Sequence, residues 1–226
     1  MIKVSLLHKS YGKVKVLKKI DLTFKQGEIN GIVGENGAGK TTLFRCIQGL
    51  EKYDGSIKYS GGILKDSLGF LSTTPYFLSK LTGKEYLQLM ANARGVTITS
   101  FTKKNIFDLP LHRFAETYST GMKKKLALTA ILLQKNKVFI LDEPFNGVDI
   151  QSNMVIQEIL MKLKELNKTV ILSSHIFSTL NETCDYLHHL KEGEIVSSVG
   201  REEFSLIEES MKGSGIANRL DELELE

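Results

Sequence analysis

An α/β fold built on parallel strands is the class the sequence predicts, and three observations predict it. Short apolar runs alternate with segments whose apolar residues recur at helical spacing, so strand and crossover helix follow one another along much of the chain. A glycine-rich stretch, GENGAGKTT, stands between an apolar strand and a helix. Two apolar runs, KVFIL and TVILSS, suit strands buried on both faces of a parallel sheet, and each delivers polar residues at its carboxyl end.

Residues 2–33 alternate apolar and polar positions in the pieces IKVSLLHK, KVKVLKKIDLTF and EINGIVG, which predicts three strands separated by YGK and KQGE turns. From Thr41 to Gln48 the spacing becomes helical, and GSIKYSGGILKDSLGFLS returns to short strands broken by glycines. Residues 82–134 read mostly as helix: LTGKEYLQLMANARG, a polar connection through TITSFTKKN, then a helix from Gly121 onward whose Met122, Leu126, Ala130 and Leu133 share one face. The remainder alternates strand KVFIL, helix QSNMVIQEILMKLKELN, strand TVILSS, helix FSTLNETCDYLHHL and strand EGEIVSSV. The closing SLIEESMKGSGIANRLDELELE is acidic, carries a GSG break and reads as a short helix and tail.

Composition narrows the function classes. The chain has 226 residues, 42% hydrophobic and 25% charged, which is ordinary for one globular domain and sets aside disordered and fibrous classes. No apolar run approaches the roughly 18 residues a membrane span needs, and MIKVSLLHKSYGK lacks the features of a signal peptide. Cys46 and Cys184 sit in no metal-ligand spacing, which fits structural thiols in a reducing, cytoplasmic compartment. A net charge of +4, spread along the chain, favours an anionic ligand weakly and does not predict nucleic-acid binding.

GENGAGKTT, Gly34 to Thr42, fits the pattern Gly, four residues, Gly-Lys, Ser/Thr. Such a loop turns successive backbone amides of Gly34, Glu35, Asn36, Gly37, Ala38 and Gly39 inward onto an oligophosphate, and the following helix aims its positive end at the same place. Lys40 then neutralises the β- and γ-phosphates of that ligand, Thr41 offers its hydroxyl to Mg²⁺, and Thr42 completes the loop. In KVFILDEP the strand ends in Asp142 and Glu143, beyond the carboxyl end where ligands of such sheets bind. Side by side they can divide the labour, Asp142 holding Mg²⁺ and Glu143 polarising the attacking water. The plainer alternative is a pair of turn or helix-capping acids. TVILSSH repeats the device with Ser173, Ser174 and His175; by position His175 alone of the five histidines is placed to meet a γ-phosphate and a water.

GENGAGKTT, LDEP and SSH, with YSTGM before LDEP, resemble the nucleotide-binding subunit of an ATP-binding cassette (ABC) transporter, and the similarity spans about residues 1 to 200. The resemblance implies the P-loop ATPase fold of that family: residues 1–72 and 123–200 as a mixed-sheet core with an antiparallel β-subdomain, 73–122 as an inserted helical subdomain, and 201–226 as a C-terminal helix or tail. It implies Glu143 and His175 as catalytic residues and Tyr11 as the aromatic that stacks on adenine, although Tyr11 read alone is an ordinary strand-end aromatic. It implies Ser119, Thr120 and Gly121 as a signature motif that binds the nucleotide of a second subunit, with Asp149 crossing the same interface. Here YSTGM carries Thr120 and Met122 where the family's typical Leu-Ser-Gly-Gly-Gln has glycine and glutamine. At least two of Lys123, Lys124 and Lys125, which follow, read as a solvated basic face.

Between these motifs the family has a segment resembling Gly-Tyr-Leu-Pro-Gln, whose glutamine contacts Mg²⁺. Aligned on Gly69, Phe70 and Leu71 of GFLSTTP, that position is Thr73, whose shorter hydroxyl reaches the ion through a bridging water; Thr74 is the second candidate. The resemblance implies an ATP-hydrolysing motor that works as a head-to-tail homodimer or heterodimer, peripheral on the inner face of the cell membrane, against a separate integral membrane permease, with export favoured. The competing reading is a soluble mechanical or regulatory ABC-type ATPase. The mechanical kind inserts a long coiled coil that residues 42–118 have neither the length nor the heptads to form.

Overall fold

The computed structural model describes residues 1–175 and 177–212; the 213–226 stretch of the expected tail lies outside the described residues. The elements run β1 (Ile2–Tyr11), β2 (Val14–Phe24), β3 (Ile29–Val33), α1 (Lys40–Ile47), β4 (Asp54–Tyr59), β5 (Leu68–Leu71), α2 (Gly83–Asn92), α3 (Thr120–Leu133), β6 (Val138–Asp142), α4 (Ile150–Glu165), β7 (Thr169–Ser173), α5 (Phe177–Thr183), β8 (Tyr186–Lys191), β9 (Glu194–Gly200) and α6 (Phe204–Lys212). They form an antiparallel three-stranded sheet ordered β2-β1-β4 and a six-stranded sheet ordered β5-β6-β7-β3-β8-β9. In the larger sheet β5, β6, β7, β3 and β8 are parallel and only β9 runs antiparallel. Among the described residues no helix is long and apolar enough to cross a membrane.

Every residue of β3, β6 and β7 is buried, which explains why their sequences show no polar alternation. Period two still sorts them. Phe139, Leu141, Val170, Leu172 and Leu187 join the core beneath α3, α4, α5 and α6, while Val138, Ile140, Ile171 and Leu190 join the core beneath α1 and the three-stranded sheet. The larger sheet is thus a central layer with a core on each face. Both cysteines are buried free thiols.

Two expectations fail. FSTLNETCDYLHHL is not one helix: α5 stops at Thr183, and YLHHLK forms β8, hydrogen-bonded beside β3. Two adjacent histidines conceal a strand of which Leu187, His188, His189 and Leu190 are all buried. Residues 82–134 hold less helix than expected. A capping box of Thr82 and Glu85 starts α2, but residues 93–119 are irregular apart from single 3₁₀ turns. There Asn105 takes backbone partners for itself, its amide donating to Leu109 O at 2.8 Å and its Oδ1 accepting from Leu109 N at 3.0 Å. Such bonds compete with helix.

Candidate active site at the carboxyl ends of the parallel strands

Four adjacent parallel strands end together. Leu71 of β5 pairs with Leu141 of β6, Asp142 of β6 with Ser173 of β7, and Ser173 with Ile32 of β3. The segments leaving these ends border one cleft of about 640 Å³ that contains Gly34 to Gly37, Gly39 to Thr42, Thr73, Asp142, Glu143 and His175. Val16, Asn146 and Met211 complete its wall.

The loop from Gly34 to Gly39 depends on backbone that side chains would block. A Cβ on Gly34 would lie 2.1 Å from the Leu190 carbonyl oxygen, and Gly39, which precedes α1, has a φ of +111°. Lys40 bends back across this loop, its Nζ donating to Gly34 O at 2.6 Å and Glu35 O at 3.0 Å. Burial lowers the pKa of this ammonium, and the carboxylates of Glu143 and Asp142 oppose the shift.

The acids are fixed by neighbours from other strands. Thr41 Oγ1 donates to Asp142 Oδ2 at 2.7 Å, and Ser173 Oγ donates to Asp142 Oδ1 at 2.6 Å. The Glu143 N–H donates to the same Ser173 Oγ at 3.0 Å. Glu143 takes a φ of +52°, a conformation uncommon for a residue with a Cβ. Its Oε2 lies 2.8 Å from Nδ1 of His175, a bond in which an ionised carboxylate accepts and the imidazole donates.

A second group lies apart from the cleft wall. Ser119 caps α3, accepting from Met122 N at 3.2 Å, and Asp149 caps α4, accepting from Ser152 N at 2.8 Å. A Cβ on Gly121 would lie 2.6 Å from Gly147 O, so the start of α3 packs directly on the turn that leads to Asp149. Ser119, Thr120 and Asp149 are exposed. Asp149 is held well below the usual carboxylate range by the Ser152 N–H, then by the Ser152 hydroxyl and Lys125. Tyr11 joins neither group: it is exposed at the end of β1, with Lys9 Nζ 4.5 Å from its ring centre.

The lysine run departs from expectation. Lys125 contacts Asp149 at 3.1 Å, and Lys124 is 1% exposed with its Nζ donating to Glu143 O and Asn146 O, each at 2.7 Å. Lys124 is therefore paired inside the protein and Lys125, partly buried, pairs with an exposed carboxylate, because the segment after β6 presents carbonyls and Asp149 to that side of α3. Sequence reasoning also missed Val16 and Asn146 in the cleft and the bridging role of Ser173. An asparagine three residues beyond the strand-end acid pair was the available signal for Asn146; nothing local marked Val16 or Lys124.

A mixed sheet with a glycine loop after β3 and a pair of acids at the end of β6, one strand removed across β7, defines an α/β phosphate-binding protein of the ABC ATPase fold. A family model described as ABC transporter matches residues 17–146. The bacitracin transport ATP-binding protein of Enterococcus faecalis is 35% identical over 213 residues, covering 88% of this chain and 69% of that protein. The lantibiotic transport ATP-binding protein of Streptococcus pyogenes is 31% identical over 208 residues, covering 87% and 89%. A solved structure described as the ATP binding subunit of an ABC transporter superposes with a TM-score of 0.80 at 26% identity, covering all of both chains. The chain belongs to the ABC transporter family, as one of its ATP-binding ATPases.

Proposed function

We propose that this chain is the ATP-hydrolysing motor of a transporter, acting as a head-to-tail dimer on a separate membrane permease at the inner face of the cell membrane. The observation that carries the reading is the contact of Glu143 with His175 at 2.8 Å in the cleft that also holds Lys40, Thr41 and Asp142. Transport of bacitracin and of a lantibiotic, named for the two relatives, supports export of a comparable peptide antibiotic.

The loop amides from Gly34 to Gly39 and the start of α1 hold the phosphates of ATP, and Lys40 moves from the loop carbonyls onto the β- and γ-phosphates. Thr41 Oγ1 and Asp142 Oδ2, 2.7 Å apart in the cleft, fit a hard cation that keeps phosphate and water oxygens as its other ligands. Mg²⁺ bound there would neutralise developing charge on the phosphates. Thr73, on the same wall, would hydrogen-bond a water of such an ion. Glu143 accepts the proton of the attacking water while Ser173 fixes the Glu143 N–H and His175 holds its carboxylate. Ser119, Thr120, Gly121 and Asp149 meet the nucleotide of the partner subunit. Tyr11 reaches adenine once ATP fills the cleft.

Glu143→Gln keeps the shape and removes the base. ATP turnover should fall by about 10²- to 10⁴-fold with ATP binding retained. A variant that hydrolyses ATP at the parental rate would remove Glu143 from this role.

A further inference from the structure

Lys124 lies one turn inside the helix that Ser119 caps, yet its ammonium donates to two carbonyls of the turn that carries Glu143. A buried ammonium is tolerated only where its donors are matched, and an apolar residue would fill a buried helix position more readily. What the ammonium holds explains its presence. Glu143 O and Asn146 O, each 2.7 Å from Nζ, bracket a turn closed by Asn146 N donating to Glu143 O at 3.2 Å. On the other side of the same Cα, the Glu143 N–H is fixed by Ser173 Oγ. With both flanking peptides pinned, the φ of +52° is maintained and the carboxylate is aimed into the cleft.

We propose that Lys124 is a positioning residue for Glu143, a clamp by which the helix led by Ser119, Thr120 and Gly121 sets the aim of the strand-end acid in its own subunit. The inference rests on Glu143 as the base. It makes α3 and the 143–146 turn one body, joined further by the packing of Gly121 on Gly147 O. Displacement of the α3 N-terminus would therefore be felt at Glu143 through backbone, without any contact between Lys124 and ATP.

Lys124→Met removes the donors at similar length, and Lys124→Gln keeps an amide donor on a shorter stem. Hydrolysis of Mg-ATP by the full chain gives kcat, titration with trinitrophenyl-ATP gives nucleotide affinity, and thermal unfolding reports on folding. Lys124→Met should lose on the order of 10²-fold in kcat, Lys124→Gln should fall between it and the parent, and both should keep affinity within about 2-fold. Parental kcat in either variant, or kcat and affinity falling together, overturns the inference. Should Lys124→Met not fold, Lys124→Gln decides by the same two readouts. Glu143→Gln measured alongside separates the levels. If it hydrolyses ATP at the parental rate, the base assignment and this inference fall together; if it is inactive while Lys124→Met is parental, the clamp alone falls.

Discussion

Ser173 shows how few atoms organise the cleft. One hydroxyl donates to Asp142 and accepts from the Glu143 N–H, so a residue of β7 fixes the last residue of β6 and the acid that follows it. Thr73 is less constrained, half-buried on the cleft wall at the end of the segment leaving β5. Its hydroxyl can hold one water of a cation shell, and one such hydrogen bond is worth about 1 kcal/mol, or roughly 5-fold in rate. Thr73→Ala should lower ATP turnover by that factor, and Thr73→Gln, whose amide reaches further, should restore it. Equal turnover in the parent and both variants would take Thr73 out of the reaction.

β8 is the element that sequence reading lost, and its histidines explain why. His188 Nε2 lies 3.2 Å from Asn30 Oδ1 and Nδ1 lies 2.9 Å from Ser198 Oγ, so the imidazole joins β3, β8 and β9. Asn30 Oδ1 can only accept, which places the proton on Nε2 and leaves Nδ1 to accept from Ser198. Burial drives the pKa of His188 down from 6.5 to about 4. Above pH 6.5 the ring is neutral folded and unfolded; between 6.5 and 4 only the unfolded chain takes the proton. Stability present above pH 6.5 is therefore lost as the pH falls toward 4, by up to about 3 kcal/mol. Denaturant unfolding at several pH values should show this slope, and His188→Gln should flatten it; an unchanged slope would assign the acid sensitivity elsewhere. The strands β3, β6 and β7 were legible because their signals are local: an apolar run, then polar residues or a glycine loop. From these followed the convergence of Lys40, Asp142, Glu143 and His175. The Ser173 bridge and the burial of Lys124 depend on which distant elements become neighbours, and a run of three lysines carries no trace of that.

At the scale of the molecule, chemistry sits in two places that one chain does not bring together. The cleft holds the glycine loop and strand-end acids, while Ser119, Thr120 and Asp149 stand exposed at the starts of α3 and α4, outside its wall. The start of α3, capped by an uncharged serine, presents N–H groups to an anion and, being exposed, can complete a phosphate site on another molecule, with the Asp149 carboxylate standing beside it. Two copies placed head to tail would give each cleft a second wall, with ATP as the shared ligand. In such a dimer each nucleotide would bind more tightly than in the monomer, so ATP would drive association by mass action and hydrolysis would reverse it. Glu143→Gln should trap that state: light scattering after size exclusion should report a monomer without nucleotide and a dimer with ATP. Adding Ser119→Glu places a carboxylate against the partner's phosphate, which should leave the protein monomeric with ATP while its own cleft still binds trinitrophenyl-ATP. A Glu143→Gln protein that stays monomeric at saturating ATP would refute the shared site. A Ser119→Glu protein that still dimerises would move the contact away from the start of α3.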